Sequence, residues 1–246
     1  MDSTWTAARR ELALFLLLVA LPALAIAGVF HLHPWPTPMK QQADGLGWPL
    51  TALYLAIGAA GVAVLPWTRV ARTPRRGERR RWAKIALWSL ATGVVYGATD
   101  LLLSRFYWGA HLAAVDRRNG YDTSFVNVRP PWSLLHYLHA SIISECAFRL
   151  APILVPAWLV GRLLKGRGEA AIFWTFALLA ALIEPLEKAV LLRKWGVFGS
   201  TPMEVAGNLE GIAWQVVYAV LLRRFGWPAP ILARFGYYLV VRCFHQ

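Results

Sequence analysis

Apolar residues fall in long unbroken runs, separated by short segments rich in basic residues, proline or glycine. Seven runs are predicted to be helices: about Leu12–Phe30, Trp48–Trp67, Ile85–Ser104, Ser133–Val160, Ala171–Leu192, Leu209–Leu222 and Trp227–Phe244. Most approach about 20 residues, the length of helix that crosses a hydrocarbon core of roughly 30 Å. Inside a bilayer only helices and closed barrels satisfy every backbone N–H and C=O. Barrel strands would alternate polar and apolar residues, whereas Leu12–Phe30 is apolar all round and therefore reads as helix. The expected fold class is all-α: a polytopic transmembrane helical bundle of about seven spans, one integral membrane domain over 1–246. The run Ser133–Val160 is long enough to tilt or break. The first run follows Arg9 and Arg10 and contains Ala25-Ile26-Ala27, a small-x-small pattern of the kind cleaved in leader peptides. Its length and the many later spans favour a retained helix.

The charge pattern orients these spans. Hydrophobic residues make up 57% of the 246 positions and charged ones only 16%, yet the formal net charge is +13. Such a charge could signal nucleic acid, but the basic residues sit in the gaps between apolar runs and no soluble domain is left to bind it. They cluster in alternate gaps. Arg9 and Arg10 precede span one. Arg69, Arg72, Arg75, Arg76, Arg79, Arg80, Arg81 and Lys84 follow span two. Arg162, Lys165 and Arg167 follow span four, and Arg223 and Arg224 end span six. These segments hold 15 of the 26 lysines and arginines. By the positive-inside rule they are cytoplasmic, which puts the N-terminus in the cytoplasm. The segment 69–84 could also dock anionic lipid headgroups, but a topology determinant is a sufficient reading. Membrane lipids are the expected surroundings, and the bacterial cytoplasmic (inner) membrane is the expected location. Trp48, Trp67, Trp82, Trp132 and Trp227 near span ends fit interfacial belts. The largest external loop is expected over 105–131, and a second over 193–208.

Polar residues inside the runs are the candidate chemistry, because a charge at the centre of a membrane helix costs roughly 2.5–3.5 kcal/mol on insertion scales. Glu145 and Arg149 in span four and Arg234 in span seven lie deepest, with Gln215 deep in span six. Asp100, Glu184, Glu187 and Lys188 lie nearer helix ends, and Glu210 at the mouth of span six. Glu145 and Arg149 are four apart on one helix face, so they either pair internally or line a hydrophilic cavity. Glu184 and Lys188 repeat that spacing and read as an interfacial pair. His136 and His139 are spaced for a shared metal but lack a third ligand, and read as interfacial. His31, His33, His111 and His245 are scattered, so no metal or cofactor is implied by ligand spacing. Cys146 and Cys243 lie in apolar runs and form no redox motif. Cys146 reads as a small buried hydrophobe.

Two stretches resemble motifs of the CPBP family (CAAX protease and bacteriocin processing), intramembrane endopeptidases related to the type II CAAX prenyl proteases. The family's E-E-x-x-x-R motif is similar to Ser144–Arg149, SECAFR. Its second glutamate corresponds to Glu145 and its arginine to Arg149, while Ser144 replaces the first glutamate. The last motif, H-x-x-x-N, follows a helix ending in a basic pair, a glycine and a short turn. Arg223-Arg224, Gly226 and Trp227-Pro228 fit that frame, with Arg234 in the histidine position and Tyr238 in the asparagine position. The two motifs stand about ninety residues apart, as in the family. A middle F-x-x-x-H motif would fall in span five, where Phe173 and Phe176 are followed by Ala177 and Ala180. The resemblance covers about 130–244.

What the resemblance implies is a glutamate-dependent intramembrane endopeptidase site. A buried carboxylate would activate water, and histidine or asparagine would steady the oxyanion. Glu145 remains as the base, but both histidines are replaced. The family frame also places Arg234 opposite Glu145, which makes the carboxylate a better strut and a weaker base. The expectation is a CPBP-like fold that cleaves by an altered site or, as a pseudoenzyme, holds a membrane-embedded or lipidated polypeptide. A small transporter or channel, lined by Asp100, Glu145 and Arg149, and a structural membrane subunit are the alternatives.

Overall fold

The computed structural model describes residues 2–32, 47–68, 70–74, 77–103, 132–186 and 202–243. They form seven helical stretches, with no strand among the described residues. The first, α1, joins Asp2–Phe15, a π-helical turn at Leu16–Ala20 and Leu21–Leu32. α2 is Trp48–Val64, closed by a 3-10 turn at Leu65–Trp67, and α3 is Arg79–Leu103. α4 joins Trp132–Glu145, a π-helical turn at Cys146–Leu150 and Ala151–Leu163. α5 is Glu169–Ala181, α6 Pro202–Phe225 and α7 Pro228–Cys243. All seven predicted runs are thus helical where described. The loop expected over 105–131, together with Glu187, Lys188, His33, His111 and His245, lies outside the described residues.

Among the described residues five helices are long and apolar enough to cross a membrane: Thr4–Leu32, Trp48–Trp67, Arg79–Leu103, Ser133–Leu163 and Glu169–Leu186. The other two fall short for different reasons. α7 has 16 residues, fewer than the about 20 a perpendicular crossing takes. α6 has 24 but carries Glu204, Asn208, Glu210 and Gln215 along its length. The outer faces present Leu17, Leu53, Leu87 and Leu178, all exposed, as a helix does when its surroundings are themselves apolar.

Glycines let the helices approach closely. A Cβ at Gly93 on α3 would overlap the Ala233 carbonyl of α7, and one at Gly97 would meet Val240. On α2, a Cβ at Gly58 would strike Cys146 and one at Gly61 the Leu150 carbonyl, both in the π turn of α4. Such small residues permit backbone contact where no hydrophobic effect drives association. Phe15, Leu55, Ile142, Leu150, Leu154 and Trp227 fill the resulting core. Cys146 is fully buried there, as the sequence suggests.

The end of α4 is a Schellman turn. Gly166 N–H donates to the Gly161 carbonyl at 2.8 Å and Lys165 N–H to that of Arg162 at 3.1 Å. The turn needs a left-handed residue, and Lys165 supplies it with φ 52° at a cost of about 1 kcal/mol.

A buried carboxylate ties the chain together at this same end. Glu11 is fully buried and accepts from Arg10 Nη2 at 2.7 Å, Thr73 N–H at 3.1 Å, Trp227 Nε1 at 3.2 Å and the Thr73 hydroxyl. Arg10 also donates to the Thr73 carbonyl at 2.8 Å, and Ala71 N–H to that of Arg223 at 3.0 Å. The turn after α4 belongs to this end as well, since Thr68, Lys165 and Arg223 border one cavity. All four basic segments of the sequence therefore converge on one end of the bundle.

Candidate ionic site

Glu145 closes the α-helical first half of α4, one residue before its π turn. That placement aims it between α4 and α7. Its Oε1 accepts from Arg234 Nε at 2.8 Å and pairs with Arg149, four residues on along its own helix. Arg234 uses a second nitrogen, Nη2, on Glu184 Oε2 at 2.9 Å. Gln215 Nε2, from α6, donates to that same oxygen. Two carboxylates and two guanidiniums from α4, α7 and the segment after α5 thus form one charge-neutral cluster. Tyr218 of α6 completes it: the Arg149 guanidinium lies 4.5 Å and that of Arg234 5.7 Å from its ring centroid.

Burial is nearly complete. Glu145 is 0% exposed, Arg149 1% and Arg234 6%. Isolated charges so placed would be prohibitively costly, and mutual pairing offsets that cost. Some polar capacity is still unused: Glu145 Oε2, Arg149 Nη2 and the Tyr218 hydroxyl are buried and take no hydrogen-bond partner among the described residues. A general base needs a water within hydrogen-bond reach; in Glu145 both guanidiniums occupy Oε1 and leave Oε2 unpaired among the described residues. Chemically the arrangement is an ionic strut joining helices that are remote in sequence.

The structure brings together three of the five sequence-predicted site residues: Glu145, Arg149 and Arg234. Ser144 is half-buried and, as the adjacent residue, projects about 100° round the helix from Glu145. Tyr238 stacks on Tyr137, with centroids 5.3 Å apart and planes at 25°. It makes no hydrogen bond among the described residues.

Two readings of polar residues need correction. Glu184, expected near the interface, turns inward to Arg234 and Gln215, while Lys188, its expected partner, lies outside the described residues. His139, expected at the interface, is buried between α4 and α2, with Nε2 3.1 Å from Thr51 Oγ1. In both cases the pairing crosses between helices, where spacing along one helix carries no information. The signals that could have pointed to Glu184 and Gln215 are their polarity within apolar runs. Glu11 gives less, because it stands beside Arg10 just ahead of the first run. Asp100 accepts from the Tyr237 hydroxyl at 2.6 Å, tying α3 to α7. Among the described residues no three His, Cys, Asp or Glu side chains gather as metal ligands would.

Among the described residues the regular structure is all helical, five helices are long and apolar enough to cross a membrane, and a buried, neutral four-charge network joins α4, α7 and the segment after α5. No protein-family model, curated protein or solved structure matches this chain.

Proposed function

We propose that the chain is an integral membrane protein of about seven spans, with its N-terminus and four basic segments on the cytoplasmic side of a bacterial inner membrane. On this reading it is a CPBP-like protein in which Glu145 acts as a strut rather than a base. Its work is to hold a membrane-embedded or lipidated polypeptide without cutting it. One observation carries the non-proteolytic part: a fully buried Glu145 gives one oxygen to both Arg149 and Arg234. A guanidinium on the carboxylate competes with the water that hydrolysis consumes. Arginine in the family's histidine position supplies that guanidinium. The CPBP-like frame itself is supported by the SECAFR and RRFGW stretches and by the meeting of Glu145 with Arg234, the two positions the family motifs pair.

The test compares protein N-termini in membranes of three strains: one lacking the gene, one with the wild type, and one with Glu145→Ala at matched expression. Identical profiles are expected. New N-termini that appear only with the wild type would establish glutamate-dependent proteolysis and end the strut reading.

A further inference from the structure

The basic end of the bundle contains a cavity of about 270 Å³ between the close of α2, the turn after α4, the start of α5 and the end of α6. Arg162, Lys165 and Arg223 border it, against a single carboxylate, Glu169. Among the described residues none of these three cations forms an ion pair, and Arg223 Nη1 is buried without a hydrogen-bond acceptor. Arg223 is held in place by the faces of Phe173 and Trp174, 5.1 and 5.5 Å from its guanidinium. The cavity is therefore a cationic cradle with unused donors.

A second cavity, of about 560 Å³, adjoins the first and shares Trp67 and Arg162 with it. It runs between α1, α2 and α4, and its walls are mainly apolar: Leu12, Ala63, Val64 and Trp158 among them. Trp5 and Trp67 meet edge to face at 5.0 Å at its border. Tryptophans gather at the level where headgroups give way to acyl chains. A cationic pocket separated from an apolar groove only by the shared side chains of Trp67 and Arg162, at that level, matches one class of molecule.

From this geometry we infer that the two cavities form a binding site for an anionic phospholipid, its phosphate held by Arg162, Lys165 and Arg223 and an acyl chain laid along the groove beside Trp67. The site lies about 25 Å along α4 from Glu145, at 1.5 Å per residue, so no catalytic or structural role of Glu145 enters the argument. The inference rests only on the membrane placement.

Native mass spectrometry of the detergent-purified full chain tests it, with phosphatidylglycerol, phosphatidylcholine or inorganic phosphate added. Phosphatidylglycerol is expected to bind in preference to phosphatidylcholine, and millimolar phosphate is expected not to displace it. Lys165→Gln removes an exposed cation and should weaken phosphatidylglycerol binding about fivefold, as should Arg223→Gln. Gly161→Leu leaves every charge in place and fills the cradle. A Cβ there meets no atom within 4 Å, so the substitution clashes with no backbone, and it should reduce binding at least as much. Equal binding of the two lipids overturns the inference, as does phosphatidylglycerol binding unchanged in both Lys165→Gln and Gly161→Leu. Displacement by inorganic phosphate overturns the lipid assignment and identifies a soluble phosphate as the ligand. None of these readings depends on whether the protein cleaves anything.

Discussion

At the scale of single residues, the governing fact is that each buried charge has an opposite charge or several donors in reach. Removing one member strands the others. Glu145→Ala would leave Arg149 without its carboxylate and Arg234 with only Glu184. Breaking a buried pair by deleting one partner costs about 3–5 kcal/mol, mostly from the charge left behind. Arg234→Ala is expected to cost a similar amount. The double variant should lose clearly less than the sum of the singles, because the second deletion removes a charge that the first had orphaned. Unfolding measured in detergent for all four proteins checks this, and strictly additive losses would refute the strut. The sequence makes part of the cluster legible. Glu145 and Arg149 announce themselves by polarity and by i, i+4 spacing, and the motif frame sets Arg234 opposite. Glu184 and Gln215 were not placed, since which faces of α5 and α6 turn inward depends on packing, and both helices are apolar on most sides.

At the scale of elements, the π turn in α4 and the glycines of α2 are one device. Gly58 and Gly61 let α2 lie directly on Cys146–Leu150, the turn that follows Glu145. π turns are short interruptions that re-aim the residues around them, and they recur at functional positions. The approach is tight enough to be tested by a single methyl. Gly61→Ala would drive a Cβ into the Leu150 carbonyl, which is backbone and cannot rotate away. A loss of about 1–3 kcal/mol is expected, as for other overpacked sites. Gly211→Ala on α6 serves as the control, because its Cβ would touch only Pro185, at 3.9 Å, and the better helix propensity of alanine should leave it neutral or stabilised. Equal melting temperatures for the two variants would show that the α2–α4 contact is looser than described. Hydropathy located α2 and α4 closely, whereas α6 begins at Pro202, inside the loop expected over 193–208. It also allowed for a break in the long fourth run, which proves to be a π turn inside a continuous helix. The turn does have a local sequence cause: Pro152, two residues beyond it, has no N–H to give the Phe148 carbonyl, and the π turn of α1 stands in the same relation to Pro22.

For the whole molecule, the meeting of all four basic segments at one end turns a pattern in the sequence into an arrangement in space. Arg10 and Glu11, the segment 70–74, the turn at 164–168 and Arg223 are neighbours there. Positive charge concentrated at one end of a helical bundle is retained on the cytoplasmic face. Alkaline phosphatase fused after Arg167 should therefore be inactive in a bacterial host, and the same enzyme fused after Gly47 active. The reverse pattern would invert the proposed topology. Much of this scale was legible from the alternation of basic and apolar segments alone. The carboxylate at its centre was not, because Glu11 gains its meaning from Thr73 and Trp227, 62 and 216 residues away in the chain.

Those separations also set a timetable. A ribosome delivers Glu11 long before Trp227, and Glu145 and Glu184 likewise emerge before Arg234. Until α7 arrives, the nascent chain holds carboxylates that still lack one of their eventual partners, Trp227 for Glu11 and Arg234 for Glu145 and Glu184. Helix α7 thus completes the pairing of the central cluster. A chain cut short before it would keep those acids poorly compensated within the bilayer, where a membrane quality-control protease could tell it from a finished copy.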